Sequence, residues 1–129
     1  MDRMNDPQAW PNQLKQIAAD IGATEMAVFT VSPSAAAPVL EVALHIRPDN
    51  PSDETREAAV LAFKELIGPC LKRNQGGVVA LSTEDPPQLR QYCVVKLIRL
   101  SGEVIGAAAF IVRRKTSTDA VETFKQLDA

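Results

Sequence analysis

Residues 92–114 read YCVVKLIRLSGEVIGAAAFIVRR and form the longest apolar run in the chain, interrupted by a single turn. Two runs rich in Val, Ile and Leu flank Ser101 and Gly102. A two-residue loop with glycine in second place suits the positive φ angles of a tight hairpin turn. Strict alternation in the second arm places Val104 on the face of Phe110 and Ile105 on the opposite face, and both faces are apolar. The stretch therefore predicts a β-hairpin in the middle of a sheet, covered on each side.

Three segments carry apolar residues at helical spacing. They predict an N-terminal helix over 8–22, a long helix capped by Ser52, and a C-terminal helix over 117–129. The Gly68-Pro69 pair predicts a kink or a stop in the long helix, because proline removes a helical hydrogen bond and clashes with the preceding turn. The last helix is expected to begin a linker toward a further domain.

Strands are expected over 27–31, 39–47 and 78–81, in addition to the two arms of the hairpin. A short link joins the first two strands, and a helix crosses over before the third. This order predicts an α+β domain over 1–129, with an antiparallel sheet of about five strands and helices packed on its faces.

The strand over 39–47 shows the cleanest alternation in the chain and is expected near a sheet edge. Its polar side carries Glu41, His45 and Arg47. These side chains could form a small anion site, but a solvated edge is the more ordinary interpretation. One histidine without a nucleophile in motif spacing does not make a catalytic set.

Composition excludes several classes of function. The chain has 14 basic and 16 acidic residues, so a nucleic-acid surface or a patch for anionic membranes is not expected. The polar N-terminus lacks an apolar signal region, and no apolar window approaches the roughly 20 residues of a membrane span. A cytoplasmic location is therefore expected.

The two cysteines, Cys70 and Cys93, lie in apolar stretches without CxxC spacing. We expect buried thiols. A redox pair is the alternative, but apolar neighbours raise the pKa of a thiol and so oppose the thiolate that redox chemistry needs.

The order of elements, and above all residues 95–100, Gly102 and 103–109, resembles GAF domains, in which such a strand is followed by a glycine turn and a second apolar strand. The likeness covers most of the chain in order of elements and the hairpin alone in sequence detail. It implies strand order 2-1-5-4-3, helices on both faces, and a non-catalytic sensory or regulatory role that involves a small molecule, a second copy, or both. The chain lacks the polar set of cyclic-nucleotide binders and the Cys-His pair that tethers a bilin. PAS and roadblock domains have related layouts.

Five residues are candidates for a ligand site. The hairpin supplies three polar or aromatic side chains and the long helix supplies two apolar ones: Tyr92, Lys96, Arg99, Phe63 and Ile67. We expect any pocket to lie between the first arm of the hairpin, the long helix and the Pro86-Pro87 loop. A cation there would bind a carboxylate or phosphate. The ordinary alternative is that Lys96 and Arg99 extend to solvent at the sheet margin.

Two functions therefore compete. The first is a regulatory domain that senses a small molecule and signals through its terminal helices. The second is a ligand-free interaction module, PAS-like or roadblock-like, that forms a homodimer through those helices. An enzyme is not expected, and a thiol-dependent redox enzyme is the weakest alternative. The sequence identifies no cofactor and no metal ligand set.

Overall fold

The computed structural model describes residues 10–32, 39–47, 52–82 and 90–128. Over these residues the chain forms three helices and five strands in the following order: α1 (Trp10–Ile21), β1 (Glu25–Ser32), β2 (Val39–Ile46), α2 (Asp53–Arg73), β3 (Gly77–Ser82), β4 (Gln91–Leu100), β5 (Glu103–Arg113) and α3 (Ser117–Asp128). The predicted terminal helices were longer at their ends than α1 and α3. Residue 22 lies just after α1, and residues 8, 9 and 129 lie outside the described residues.

All strand pairs are antiparallel, and the sheet order is β2-β1-β5-β4-β3. One face of the sheet packs against α1 and α3, and we call it the α1/α3 face. The other packs against α2, and we call it the α2 face. The predicted α+β fold and strand order are confirmed. None of the helices in the described ranges combines the length and apolar character that a bilayer crossing needs.

The β4–β5 hairpin lies inside the sheet, as predicted. Its turn residues Ser101 and Gly102 have φ angles of 54° and 84°, the positive values that a tight hairpin turn requires. Three consecutive alanines, residues 107–109, are fully buried, because both helical layers approach the strand there. The register of β4 and β5 shifts at one point: Ile98 pairs with Gly106 and Arg99 pairs with Val104, so that Ile105 is an extra residue in β5. Strict alternation was therefore wrong at this end of β5: Ile105 lies on the α1/α3 face and Val104 on the α2 face.

The second strand also departs from strict alternation. Consecutive residues of β1 pair with Leu44 and Val42, so Ala43 is an extra residue in β2. Such a β-bulge sets two residues against one and shifts the side chains beyond it to the other face. The predicted edge position is confirmed. The predicted solvated histidine face is wrong, because the side chain of His45 turns toward α2 and is only 2% exposed.

Helix α2 is continuous through Pro69, so the predicted stop is wrong, whereas the predicted kink stays a prediction. Its ends follow the sequence closely. The Ser52 hydroxyl accepts a hydrogen bond from the Thr55 amide at 3.3 Å, and Asn74 ends the helix in the left-handed conformation. Tertiary packing of the buried face of α2 offsets the hydrogen bond that proline cannot donate.

The terminal helices bury their apolar stripes against their own sheet. Leu14 of α1 and Ala120 and Leu127 of α3 belong to the same core cluster as Phe110. Arg114 ties the layer together, since its Nη2 donates to the Ile21 carbonyl and its Nε donates to the Thr123 hydroxyl. These stripes are thus occupied within the chain, and a homodimer through the terminal helices stays a prediction.

Two glycines provide a matched test of this packing. A Cβ on Gly76 would overlap the Val95 carbonyl oxygen and approach the Phe124 ring to 3.0 Å, whereas a Cβ on Gly68 would meet nothing within 4 Å. We expect Gly76→Ala to lower the free energy of unfolding by roughly 2 kcal/mol through overpacking. Gly68→Ala, inside α2, should change it by less than about 1 kcal/mol, because the higher helix propensity of alanine is opposed by crowding of its Cβ against the ring of Pro69. Urea denaturation measures both, and equal effects would contradict the close approach of β3 to β4 and α3.

Candidate functional site

The sheet separates the five predicted site residues. Phe63 and Ile67 lie on the α2 face, whereas Tyr92 lies on the α1/α3 face. Lys96 shares the face of Tyr92, and Arg99 reaches the C-terminal end of α2. The structure therefore does not bring the five together in one pocket. Whether any of them binds a ligand stays a prediction.

Both cations of β4 cap helices. Lys96 Nζ donates to the Leu127 carbonyl at 2.7 Å, in the last turn of α3. Arg99 donates through Nη1 to Asn74 Oδ1 at 3.0 Å and through Nη2 to the Asn74 carbonyl at 2.6 Å. Helix C-termini leave carbonyl groups unpaired and favour positive charge. These contacts give Lys96 and Arg99 a structural role that neither sequence interpretation included.

The predicted apolar pair has divided roles. Ile67 is fully buried in the core, whereas Phe63 also lines a small cavity of about 150 Å³ beside α2, together with Leu66, Leu81 and Ile111. The loop with Pro86 and Pro87, which was expected to complete a pocket, lies outside the described residues. This cavity is smaller than the roughly 300–1,000 Å³ typical of ligand pockets.

A partly buried polar bridge passes beneath the N-terminal half of α2. His45 Nε2 lies 2.6 Å from Glu25 Oε2, and His45 Nδ1 lies 3.2 Å from Nη1 of Arg56. The same Nη1 donates to the His45 carbonyl at 2.9 Å. The imidazole also packs edge-on against Phe63, with ring centroids 5.9 Å apart. The bridge thus joins β1, β2 and α2 at one point.

The geometry assigns the tautomer of His45. A guanidinium can only donate hydrogen bonds, so Nδ1 must accept from Arg56. Nε2 then carries the proton and donates to the Glu25 carboxylate. Because both ring nitrogens are engaged, the imidazole holds Arg56 in a fixed direction and is not available for proton transfer to a ligand.

The side chain of Arg56 lines a cleft between α2 and β2. This α2–β2 cleft has a volume of about 560 Å³ and is lined by Val42, Asp53, Arg56, Glu57, Val60, Leu61 and Lys64. Two large apolar residues of the lining, Val42 and Leu61, are 46% and 59% exposed. The cleft combines an apolar floor with two cations and two carboxylates.

Sequence reasoning missed Glu25, Arg56 and this cleft. The available signal was His45 itself, an imidazole two residues beyond a position where the strand could bulge. No pattern within the chain pairs Glu25 with His45 or His45 with Arg56, because they come from three different elements.

The cysteines are buried, as predicted. Burial raises the pKa of the Cys93 thiol to about 12, with smaller contributions from Cys70 and Glu25. Burial also raises the pKa of Cys70, although the charge of Arg73 partly opposes the shift. Within the described part of the chain, no group of three His, Cys, Asp or Glu side chains is arranged to hold a metal ion.

The raised thiol pKa values predict that neither cysteine reacts with iodoacetamide at pH 8 in the folded chain, because the thiolate is the nucleophile. Both should react after unfolding in urea. The Cys93 pKa is 9.0 in its ordinary state and about 12 in the fold, so its contribution to stability is complete below pH 9 and is lost as the pH rises toward 12. Alkylation followed by mass spectrometry tests this, and rapid labelling of either thiol in the folded chain would contradict it.

Comparison with known proteins does not assign a family. No model of a known protein family matches the chain, and no curated protein matches it. The GAF likeness rests on the hairpin residues and on the order of elements, and it stays a prediction.

Proposed function

We propose that this chain is a non-catalytic, GAF-like regulatory domain that binds a small molecule in the α2–β2 cleft. The ligand class is one with an apolar body and charges of both signs. A free apolar amino acid is the smallest such molecule. The observation that carries the proposal is the orientation of Arg56 by the buried imidazole of His45, which is itself held by the partly buried Glu25 carboxylate.

The cost of the Glu25–His45–Arg56 bridge supports a functional role. Burying polar and charged groups opposes folding unless each is paired, and buried networks add less stability than well-packed apolar residues. The bridge engages Nη1 of Arg56, and the Arg56 side chain lines the cleft. A cation held in place before binding loses less conformational entropy when a ligand arrives.

The lining of the cleft supports the ligand class. Arg56 suits a carboxylate, which a guanidinium binds through paired hydrogen bonds. Its neighbour Glu57 and the nearby Asp53 suit an ammonium group, while Val42, Val60 and Leu61 suit an apolar side chain. The volume of about 560 Å³ falls within the usual range of small-molecule sites.

We test the proposal by titrating the chain with leucine in a calorimeter and in a thermal-shift assay. Leucine should bind. N-acetyl-leucinamide, which has the same side chain and no charges, should have an affinity at least about tenfold lower. Arg56→Gln should weaken leucine binding by about tenfold, since a charge-assisted hydrogen bond is lost. Arg113→Gln, at the exposed end of β5, is the matched control and should change nothing.

Glu57→Gln provides a second variant that does not disturb the polar bridge, because Glu57 is exposed. It should weaken leucine binding without lowering the melting temperature of the free chain. Failure of leucine, phenylalanine and short apolar peptides to bind the unmodified chain would overturn the proposal. Equal affinity of leucine for the chain and for both variants would also overturn it.

Self-association at the same cleft is the second candidate function, and the exposure of Leu61 and Val42 favours it. A second copy related by two-fold symmetry could place Lys64 of one helix beside Glu57 of the other, because the two residues lie seven positions apart on α2. Analytical ultracentrifugation should then show a dimer that Leu61→Asp dissociates, with Glu41→Ala as an exposed control on β2. A monomer at all concentrations would exclude this candidate.

A further inference from the structure

We infer that the α2–β2 cleft also receives side chains of an extended polypeptide segment, which adds as a strand to the edge of β2 that no described strand occupies. The inference rests on the proposed function in one respect, that the α2–β2 cleft is the recognition site. It goes further by naming the partner and its direction. Three observations support the inference: the exposure of the β2 edge, the presence of a cleft beside β2 on each face of the sheet, and the order of charges along α2.

Strand β2 lies at the end of the sheet, and β1 is its one partner among the described strands. An edge strand presents unpaired N–H and C=O groups that can pair with another extended chain. Proteins protect such edges with lysine, proline, other charges or bulges. Residues 39–46, VLEVALHI, contain no lysine or proline, and their protections are Glu41 and the bulge at Ala43. Val39, Val42 and Ile46 are 48%, 46% and 37% exposed.

A cleft lies beside β2 on each face of the sheet. The α2–β2 cleft is bordered by Val42 on the α2 face. On the other face, a cleft of about 210 Å³ is bordered by Ile46 and by residues of α1 and β1 that include Lys15, Ala18 and Ala19. Successive side chains of a strand point to opposite faces. A strand added to this edge therefore delivers alternate side chains to both clefts, which a free small molecule does not do.

The charges of α2 define the sequence of the partner. Asp53 and Glu57 lie near the start of the helix, and Lys64 lies 11 and 7 residues later. At about 1.5 Å per residue these separations are about 16 and 10 Å along the axis. Residues i and i+4 of an extended strand lie on one face and are about 13 Å apart. The partner strand therefore has a basic residue at i, which matches the acidic end of the cleft. It has an apolar residue at i+2, which matches the apolar floor, and an acidic residue at i+4, which matches Lys64.

The contact between His45 and Arg56 sets the direction. It places the C-terminal end of β2 beside the first turns of α2, where Asp53 and Glu57 lie. Every pair in the sheet is antiparallel, and an added strand of the same kind runs from the Ile46 end toward the Val39 end. The basic residue then precedes the acidic one. Arg56 lies between Asp53 and Glu57 in the sequence of α2, and it donates to a main-chain carbonyl of the added strand.

Three labelled peptides with capped termini test this by fluorescence anisotropy. The first contains Lys-Thr-Leu-Thr-Glu between threonine pairs, the second contains the reversed order Glu-Thr-Leu-Thr-Lys, and the third repeats the first with N-methyl groups on alternate amides. The first should bind most tightly. N-methylation should weaken its binding about tenfold or more, because the main-chain hydrogen bonds are lost.

A charge exchange gives a control that keeps the net charge. In the double variant Glu57→Lys and Lys64→Glu, the preference between the first and second peptides should fall or invert. Both residues line the cleft without belonging to the core, so the fold is retained.

The outcomes separate this inference from the proposed function. Binding of leucine without binding of any peptide overturns strand addition and leaves the small-molecule proposal intact. Equal affinity for the N-methylated and unmodified peptides also overturns strand addition, because main-chain hydrogen bonds then contribute nothing to binding. An unmodified chain that is dimeric, and that Val42→Lys makes monomeric, shows a second copy on the β2 edge and overturns the peptide proposal.

Discussion

The burial of the β4–β5 hairpin on both faces is the constraint on which the rest of the fold depends. Residues 107–109 are alanines with no exposed surface, and their small side chains allow a helical layer to pack on each side. The terminal helices cover one face and α2 covers the other. Because α2 is a single helix on a five-stranded sheet, it cannot cover the whole face. The clefts on its flanks follow from that mismatch in width.

The bulge at Ala43 then decides which side chains border the larger cleft. If β2 alternated strictly from Val42 onward, His45 would lie on the α1/α3 face, away from α2. With the bulge, the imidazole lies beneath the helix and takes both Glu25 and Arg56 as partners. A buried imidazole must have its hydrogen bonds satisfied, so the positions of β1, β2 and the first half of α2 depend on one another. The orientation of Arg56 depends on that arrangement.

The predictable part of the fold was local or carried by the family likeness. The Ser101-Gly102 turn, the Ser52 cap and the hydrophobic periodicity are short-range signals, and the strand order followed from the resemblance to GAF domains. The bulges in β2 and β5 were not predictable, because neither inserts a glycine or another residue that marks an extra position. Pro69 was misjudged since packing of the neighbouring Ile67 and Cys70 outweighs a local helix preference. Arg99 and Lys96 were assigned to solvent or ligand because their helix-cap partners are distant in sequence.

The candidate site was the least predictable part for the same reason. Glu25, His45 and Arg56 are separated by 20 and 11 residues, and only the tertiary structure brings them together. Phe63 was predicted to line a ligand pocket, and in the structure it packs on the α2 face against the imidazole of His45. The cleft was missed because its apolar residues, Val42 and Leu61, look like ordinary core positions in a period-2 strand and a helix.

The most direct test of this account is a long-range ¹H–¹⁵N correlation spectrum of the His45 ring at neutral pH. His45 is the chain's one histidine, so its signals need no assignment by mutation. The account predicts a single neutral tautomer with the proton on Nε2 and an unprotonated Nδ1. A pattern that averages the two tautomers, as in a solvent-exposed imidazole, would show that the bulge does not turn His45 beneath α2 and would contradict the account.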